Sequence, residues 1–184
     1  SKIIFKKIIF ISTKINSNET KKLQSKVKII KRKNIGYDFN SYKCGWEYLH
    51  KKFNANYKDK NLFFVNSSIL FIKPQKILSL IKHINVKKNE FWGISRSFEL
   101  TDHIGTYFFF FSGELFHNKK ILKWWKKIKP INDRNIIVSK YELGLSILMR
   151  ENNVKLKSFY KKNINLKTNN IFKKIGQRFN EVFL

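Results

Sequence analysis

The chain of 184 residues contains a single cysteine, two prolines and seven glycines. One cysteine, Cys44, excludes an internal disulfide and a zinc site built from several cysteines, and it favours a reducing compartment. The sequence contains no run of 18 apolar residues, so no membrane-spanning helix is predicted. The start, Ser-Lys-Ile-Ile-Phe-Lys-Lys, lacks the small-residue cleavage site of a signal peptide.

Acidic residues are scarce as well, with 12 Asp and Glu against 39 Lys and Arg, for a formal net charge of +27. This excess predicts attraction to phosphates, anionic lipid surfaces or nucleic acid. Lys, Asn, Ile and Phe are all abundant, as A/T-rich codon usage produces, so part of the lysine excess carries no function. Codon usage does not explain the shortage of acidic residues.

What the sequence does contain is a core: 42% of its residues are hydrophobic and 18 are Phe. This content excludes a disordered chain, and the length suits one domain. We predict a domain over residues 1–160, followed at 161–184 by a basic linker and an amphipathic helix. No internal repeat is present.

Apolar runs alternate with helical patterns along the domain. We predict an α/β fold with a mostly parallel sheet flanked by helices. Strands are predicted at 8–13, 27–31, 61–68, 90–95, within 103–116 and at 154–160, and helices at 19–25, 40–53, 74–84, 119–129 and 139–153.

The segment NIGYDFNSYKCGWEYL, residues 34–49, is a polar turn that opens into an aromatic amphipathic helix. Such a turn places backbone N–H groups and the positive end of a helix dipole at the carboxyl end of a strand, where α/β proteins bind phosphorylated ligands. Gly36 permits positive φ and close approach of a ligand, and Asn40 or Ser41 is expected to cap the helix. The predicted lining residues are Asn34, Tyr37, Asp38 and Ser41; the alternative is an ordinary capped loop.

Two further polar stretches, Asn66-Ser67-Ser68 and the region around His103, also lie beside predicted strand ends. The three stretches are expected to share one cleft.

In order along the chain, NIGYDFNSYKCGWEYL, LFFVNSSILF, EFWGIS, the 103–111 stretch and KYELGLSIL resemble the rhamnan synthesis protein F family. The family pattern has an N-x-G-Y-D-F-G-S-like turn, an N-D-S strand end, D-F-W-G, H-x-Q-S-Y-F and a Y-E-x-G-L-S helix. The resemblance covers about residues 8–160 and includes Trp92 and Gly93 in its F-W-G word. It implies a GT-A-like glycosyltransferase that transfers rhamnose or a related sugar from a nucleotide-sugar donor to a surface-polysaccharide or lipid-linked glycan acceptor.

By similarity to inverting GT-A enzymes, the turn with Asn34, Gly36 and Asp38 contacts the donor, Asn66 to Ser68 stand at the metal motif, and Glu142 is the general base. The same similarity implies that the chain begins at the second strand of that fold, leaving out the first strand and helix. Ser67 replaces the family's Asp, so use of Mg²⁺ or Mn²⁺ is left open. His103-Ile104-Gly105-Thr106 keeps the family's histidine and loses its amide, so specificity or activity is also open.

Each catalytic candidate has a structural alternative. Glu142 is either the base or an acid that favours a helix N-terminus. Asp102 and His103 form either an oriented acid–base pair or a turn with a hydrogen-bonded histidine. Asp38 binds sugar hydroxyls, caps a helix or does both, and Arg96 or nearby lysines are weak candidates for neutralising a diphosphate.

Two basic amphipathic stretches, residues 119–129 with Trp124 and Trp125 and residues 170–184, suit an anionic membrane surface. In the alternative, their apolar stripes pack against the sheet. We expect a cytoplasmic protein, peripheral at the inner face of the membrane. Two other functions stay open: a degenerate noncatalytic relative that acts as a partner protein, and a nucleic-acid-binding protein, against which the absence of any binding motif argues.

Overall fold

The computed structural model describes residues 5–161, apart from 24, 26, 54–58, 70–73 and 85. The predicted linker and helix at 162–184 lie outside the described residues. In chain order the elements are β1 (Ile9–Ser12), α1 (Ser17–Leu23), β2 (Lys28–Lys31), α2 (Tyr37–Phe53), β3 (Asn61–Val65), α3 (Pro74–His83), β4 (Glu90–Ser97), β5 (His103–Ile104), β6 (Phe108–Ser112), α4 (Gly113–Phe116), α5 (Lys119–Lys127), α6 (Arg134–Ile137), the π-helix π1 (Val138–Leu143), α7 (Gly144–Glu151) and β7 (Lys155–Lys161).

The strands form two sheets. β1 and β2 pair in parallel, with Phe10 opposite Ile29. In the larger sheet β6 lies between β3 and β4, and β5 and β7 also pair with β4. The pairs β3–β6, β4–β6 and β4–β5 are antiparallel, and β4–β7 is parallel. The α/β class is therefore confirmed.

The prediction of a mostly parallel sheet is wrong, because the larger sheet is mixed. The five residues from Phe98 to Asp102 connect β4 to β5. Parallel neighbours need a crossover of a dozen or more residues, so this short connection can only make a hairpin. The short β4–β5 connection thus requires β5, and β6 after it, to run antiparallel to β4.

A bulge interrupts the strand that pairs with β4. Arg96 faces Ile104 and Gly93 faces Phe109, so three steps along β4 correspond to five along the partner. Gly105 still donates its N–H to the Ser95 carbonyl at 3.1 Å. The extra residues between Ile104 and Phe108 are therefore not paired with β4 in regular register, and they lie beside the end of β3. Bulges of this kind often stand beside functional sites.

The core lies on both faces of β6, whose residues Phe108–Ser112 are all buried. On one face Phe64 and Phe109 stack at 4.7 Å, and Tyr42 of α2 packs edge-on to both rings. On the other face Phe110 stacks on Phe63 at 4.9 Å. A strand buried on both faces needs a continuous apolar run, and FFFF provides one.

Helix α5 places its apolar stripe in this core. Ile121 and Trp125 are fully buried, whereas its lysines are exposed. Leu122 and Trp124 are partly buried and pack against the same core, so the apolar stripe of α5 faces the sheet and its lysines face outward. Within the described residues, no helix combines the length and the apolar character needed to cross a bilayer.

Candidate functional site

Arg32, directly after β2, organises the 34–41 turn. Its Nη1 donates to the carbonyls of Lys33 (2.8 Å) and Ile35 (2.6 Å), and its Nη2 donates to that of Tyr37 (2.7 Å). Nε donates to the Ser41 hydroxyl at 2.8 Å. Ser41 thus helps to hold the turn. Sequence reasoning missed Arg32, although a long cation just before a polar turn was the available signal.

The backbone at residue 36 requires a glycine. Its φ is +74°, and a Cβ at this position would lie 2.6 Å from Cα of Pro130. Its N–H donates to Oδ1 of Asn132 at 3.0 Å, so the 128–133 connection closes over the turn. Tyr37 follows with φ of 47°, a strained value for a residue with a side chain.

The predicted cap of α2 is wrong. The helix begins at Tyr37, so Asn40 and Ser41 lie inside it. Asn40 donates its side-chain amide to the Ile35 carbonyl at 2.9 Å, and its N–H binds the Gly36 carbonyl. The turn is therefore held by side chains that donate to carbonyls. Asn34 and Tyr37 are exposed beside it.

Asp38 and Asn66 meet directly. Asn66 donates its amide to Oδ2 of Asp38 at 2.8 Å and accepts the Ser68 N–H at 3.0 Å. The Asn66 backbone N–H donates to the Tyr107 carbonyl at 3.0 Å, which ties the end of β3 to the bulge. Ser67 and Ser68 are exposed in the turn after β3.

Glu142 lies inside a continuous helical segment, not at a helix start as expected. Helical structure begins at Arg134 and runs through π1 into α7, with Glu142 in π1. A π-helical turn is rare and is common at functional sites. Oε1 of Glu142 accepts the Thr106 N–H at 3.3 Å, within the bulge.

Tyr42 connects the two halves of this cluster. Its buried hydroxyl donates to the Thr106 carbonyl at 2.8 Å. Burial raises the pKa of Tyr42, and the carboxylates of Asp38 and Glu142 raise it further. Both carboxylates therefore lie within electrostatic range of one phenol. The predicted residues Asp38, Asn66 and Glu142 are brought together around the bulge, which we call the Asp38–Glu142 cluster.

Asp102, in the β4–β5 connection, and His103, in β5, lie beside a later part of the same helical segment. Glu142, Ser146 and Arg150, at four-residue spacing, bond in turn to Thr106 N–H (3.3 Å), Ile104 N–H (3.0 Å) and the Thr101 hydroxyl (3.2 Å). Arg96 holds Asp102 through two hydrogen bonds of 2.6 Å. This ion pair lowers the pKa of Asp102.

His103 has its Nδ1 2.8 Å from the Thr101 carbonyl. Within the described part of the chain no hydrogen bond joins His103 to Asp102. Arg96 is committed to Asp102 and to the Leu156 carbonyl at 2.9 Å, so its guanidinium is not turned toward a donor diphosphate. The acid–base pair therefore stays a prediction without a direct link between its members.

Trp92 and Gly93 lie in the middle of β4, not at a strand end. A Cβ on Gly93 would come within 2.2 Å of Ile104, so the glycine lets β5 pack closely. Trp92 stacks on Phe110 and donates its indole N–H to Glu90 at 3.0 Å. Their predicted contact with substrate stays a prediction, and their observed contacts are packing contacts.

The residues at the end of β3 do not form a ligand set for Mg²⁺ or Mn²⁺. No group of three His, Cys, Asp or Glu is found among the described residues. The Asn66 amide is occupied by Asp38 and Ser68, and Ser67 offers a hydroxyl where a hard cation prefers a carboxylate.

Comparison with known proteins places the chain in a family. A family profile described as "Rhamnan synthesis protein F" matches residues 8–175. The chain is 31% identical over 122 residues, 64% of its length and 31% of the relative's, to "Uncharacterized protein y4gN" of Sinorhizobium fredii (strain NBRC 101917 / NGR234). It is 33% identical over 118 residues, 63% of its length and 36% of the relative's, to "Virulence protein VirA" of Vibrio anguillarum (strain ATCC 68554 / 775). The chain thus spans about a third of these curated relatives.

Proposed function

The chain belongs to the rhamnan synthesis protein F family, and from that premise we propose that it is a glycosyltransferase domain of polysaccharide synthesis. It would transfer rhamnose or a related sugar from a nucleotide-sugar donor to a surface-polysaccharide or lipid-linked glycan. We propose a GT-A-like fold and a peripheral position at the inner face of the membrane.

One observation carries this proposal: a hydrogen-bonded path runs from the donor-side turn to Glu142. The Asp38 carboxylate accepts a hydrogen bond from the Asn66 side-chain amide, and the Asn66 backbone N–H donates to the Tyr107 carbonyl. The N–H of the neighbouring Thr106 donates to the Glu142 carboxylate. These residues come from four separate parts of the chain. Their meeting at one edge is what a donor turn and a base acting on one substrate pair require.

We assign the binding of the donor diphosphate to the start of α2. Arg32 draws the carbonyls of the turn toward itself, and α2 is 17 residues long, so its first N–H groups present the positive end of a long dipole. Asp38 Oδ2 is held by Asn66, which fixes its carboxylate for a sugar or ribose hydroxyl.

Glu142 is assigned the role of general base, which takes the proton of the acceptor hydroxyl. Oε1 is held by Thr106 N–H, and within the described part of the chain Oε2 makes no hydrogen bond. Oε2 therefore takes the proton as the acceptor oxygen bonds to the anomeric carbon and the diphosphate leaves with its bonding pair. Tyr42 and the bulge keep the carboxylate in place.

The GT-A-like assignment also predicts a further strand between the two sheets. Among the described strands β1 pairs with β2 alone and β3 with β6 alone, which leaves one edge of each strand unpaired. Helix α2 packs on both, since Gly45 lies against Ile11 and the Tyr42 ring lies 5.6 Å from that of Phe64.

A noncatalytic partner protein is the second candidate, and Ser67 at the position of the family's Asp favours it. A panel of nucleotide sugars tested with the wild type, Glu142→Gln and Glu151→Gln separates the two. We expect turnover to fall at least about 100-fold in Glu142→Gln and to persist in Glu151→Gln, whose site is an exposed position on the same helical segment.

Unchanged turnover in Glu142→Gln removes Glu142 as the base. Absence of nucleotide-sugar binding in calorimetry, with and without Mn²⁺, supports the noncatalytic partner instead. Binding of single-stranded nucleic acid that is not matched by other polyanions supports the nucleic-acid alternative.

A further inference from the structure

A pocket of about 550 Å³ opens beside β7, away from the Asp38–Glu142 cluster. Its wall includes Trp92, Arg96, Asp102, Arg150, Lys155 and Lys157. Arg150 follows Glu142 by eight residues, which places the pocket about 12 Å from Glu142 at 1.5 Å per helical residue. The proposed sugar transfer uses none of these side chains.

The pocket carries excess positive charge. Four of the named wall residues are cations and one is an anion, and that anion, Asp102, is already held by Arg96 through two bonds of 2.6 Å. Lys155 and Lys157 are exposed, and within the described residues neither makes an ion pair. Clustered cations around a cavity raise the local concentration of anions and bind phosphate well.

Exposed apolar side chains stand beside these cations. Leu100 is 74% exposed and Phe98 is 40% exposed, both in the β4–β5 connection. The Phe98 ring lies 5.2 Å from the Arg96 guanidinium, and Leu100 precedes Asp102 by two residues. A small soluble anion needs no apolar rim, whereas a membrane offers phosphate and hydrocarbon side by side.

We propose that this pocket binds the phosphate of an anionic lipid headgroup, with Leu100 and Phe98 reaching the interface of the bilayer. The pocket and loop thus locate the proposed membrane contact. Helix α5 cannot do the same, because Ile121 and Trp125 are buried in the core. The site serves a peripheral protein, whose affinity combines buried apolar area with charge attraction.

Vesicle co-sedimentation in about 0.15 M salt tests the proposal, with phosphatidylcholine alone and with added phosphatidylglycerol. We expect binding only to the anionic vesicles. Lys155→Gln/Lys157→Gln should weaken it at least about tenfold, whereas Lys119→Gln/Lys123→Gln, which removes the same charge from exposed positions on α5, should change it less than about twofold.

The loop is tested separately. Leu100→Ser should weaken vesicle binding about fivefold or more, and Ile147→Ser, at a site 38% exposed on α7, should not. Equal losses in the two double-lysine variants, or no loss in Leu100→Ser, overturn the proposal. So does saturable binding of glycerol phosphate without vesicle binding, which indicates a soluble anion. No sugar donor is present, so failure here leaves the proposed transfer intact.

Discussion

The side-chain amide of Asn66 donates a 2.8 Å hydrogen bond to Oδ2 of Asp38, which joins the end of β3 to the first turn of α2. The strand end at which the sequence leaves metal use open orients the Asp38 carboxylate. Because the same amide accepts the Ser68 N–H, its orientation is fixed from both sides.

Asn66→Asp is expected to destabilise the fold at neutral pH by about 1–3 kcal/mol, because two carboxylates would face each other at hydrogen-bond distance. The shared site raises one carboxyl pKa in the folded state, so the loss is present above that pKa and diminishes as pH falls through it. Urea unfolding at pH 7 and pH 4 measures this. Asn135→Asp, at an exposed position on α6, is the control and should show little change.

Gly36→Ala is expected to lose stability by about 1–3 kcal/mol and to weaken donor binding. The backbone has φ of +74° there, and the added Cβ meets Pro130 at 2.6 Å. Gly144→Ala is the matched control, because its φ is helical, −60°, and its nearest neighbouring atom lies at 3.8 Å. That control should be neutral or slightly stabilising. Equal thermal stability of the two variants contradicts the assigned turn.

Tyr42→Phe is expected to cost about 1–2 kcal/mol, since it leaves the Thr106 carbonyl without its 2.8 Å partner in a buried site. The free energy of unfolding in urea measures this loss. Tyr37→Phe removes a hydroxyl from a residue that is 47% exposed and should be close to neutral.

Acid is expected to destabilise the protein partly through Asp102. Arg96 lowers the pKa of Asp102 in the folded state, so its stabilising contribution is present above the unfolded pKa and is lost as pH falls through the folded pKa. Asp102→Asn should cost about 1.5–3 kcal/mol at pH 7. The difference in the free energy of unfolding between Asp102→Asn and the wild type should disappear in strong acid. A gap that persists at pH 2 means that the variant acts through packing.

Much of the candidate site was accessible from local sequence. The glycine turn at Gly36 and the polar end of β3 each follow a strand that periodicity locates, and Glu142 lies within a helical segment that periodicity locates. Asn132 was not accessible, because its partner is the backbone N–H of Gly36, whose direction depends on a turn already folded. Trp92 and Gly93 look functional in sequence, yet their observed contacts are with the core.

The sequence by itself determined the order of strands and helices, the aromatic core strand β6 and the excess of positive charge. These properties depend on side-chain periodicity and composition, which are local. Only the tertiary structure decided that β6 pairs with β3, that the bulge meets Glu142 and that the apolar stripe of α5 is buried. Those outcomes depend on hydrogen-bond pairing and packing between segments far apart in the chain, which no single segment encodes.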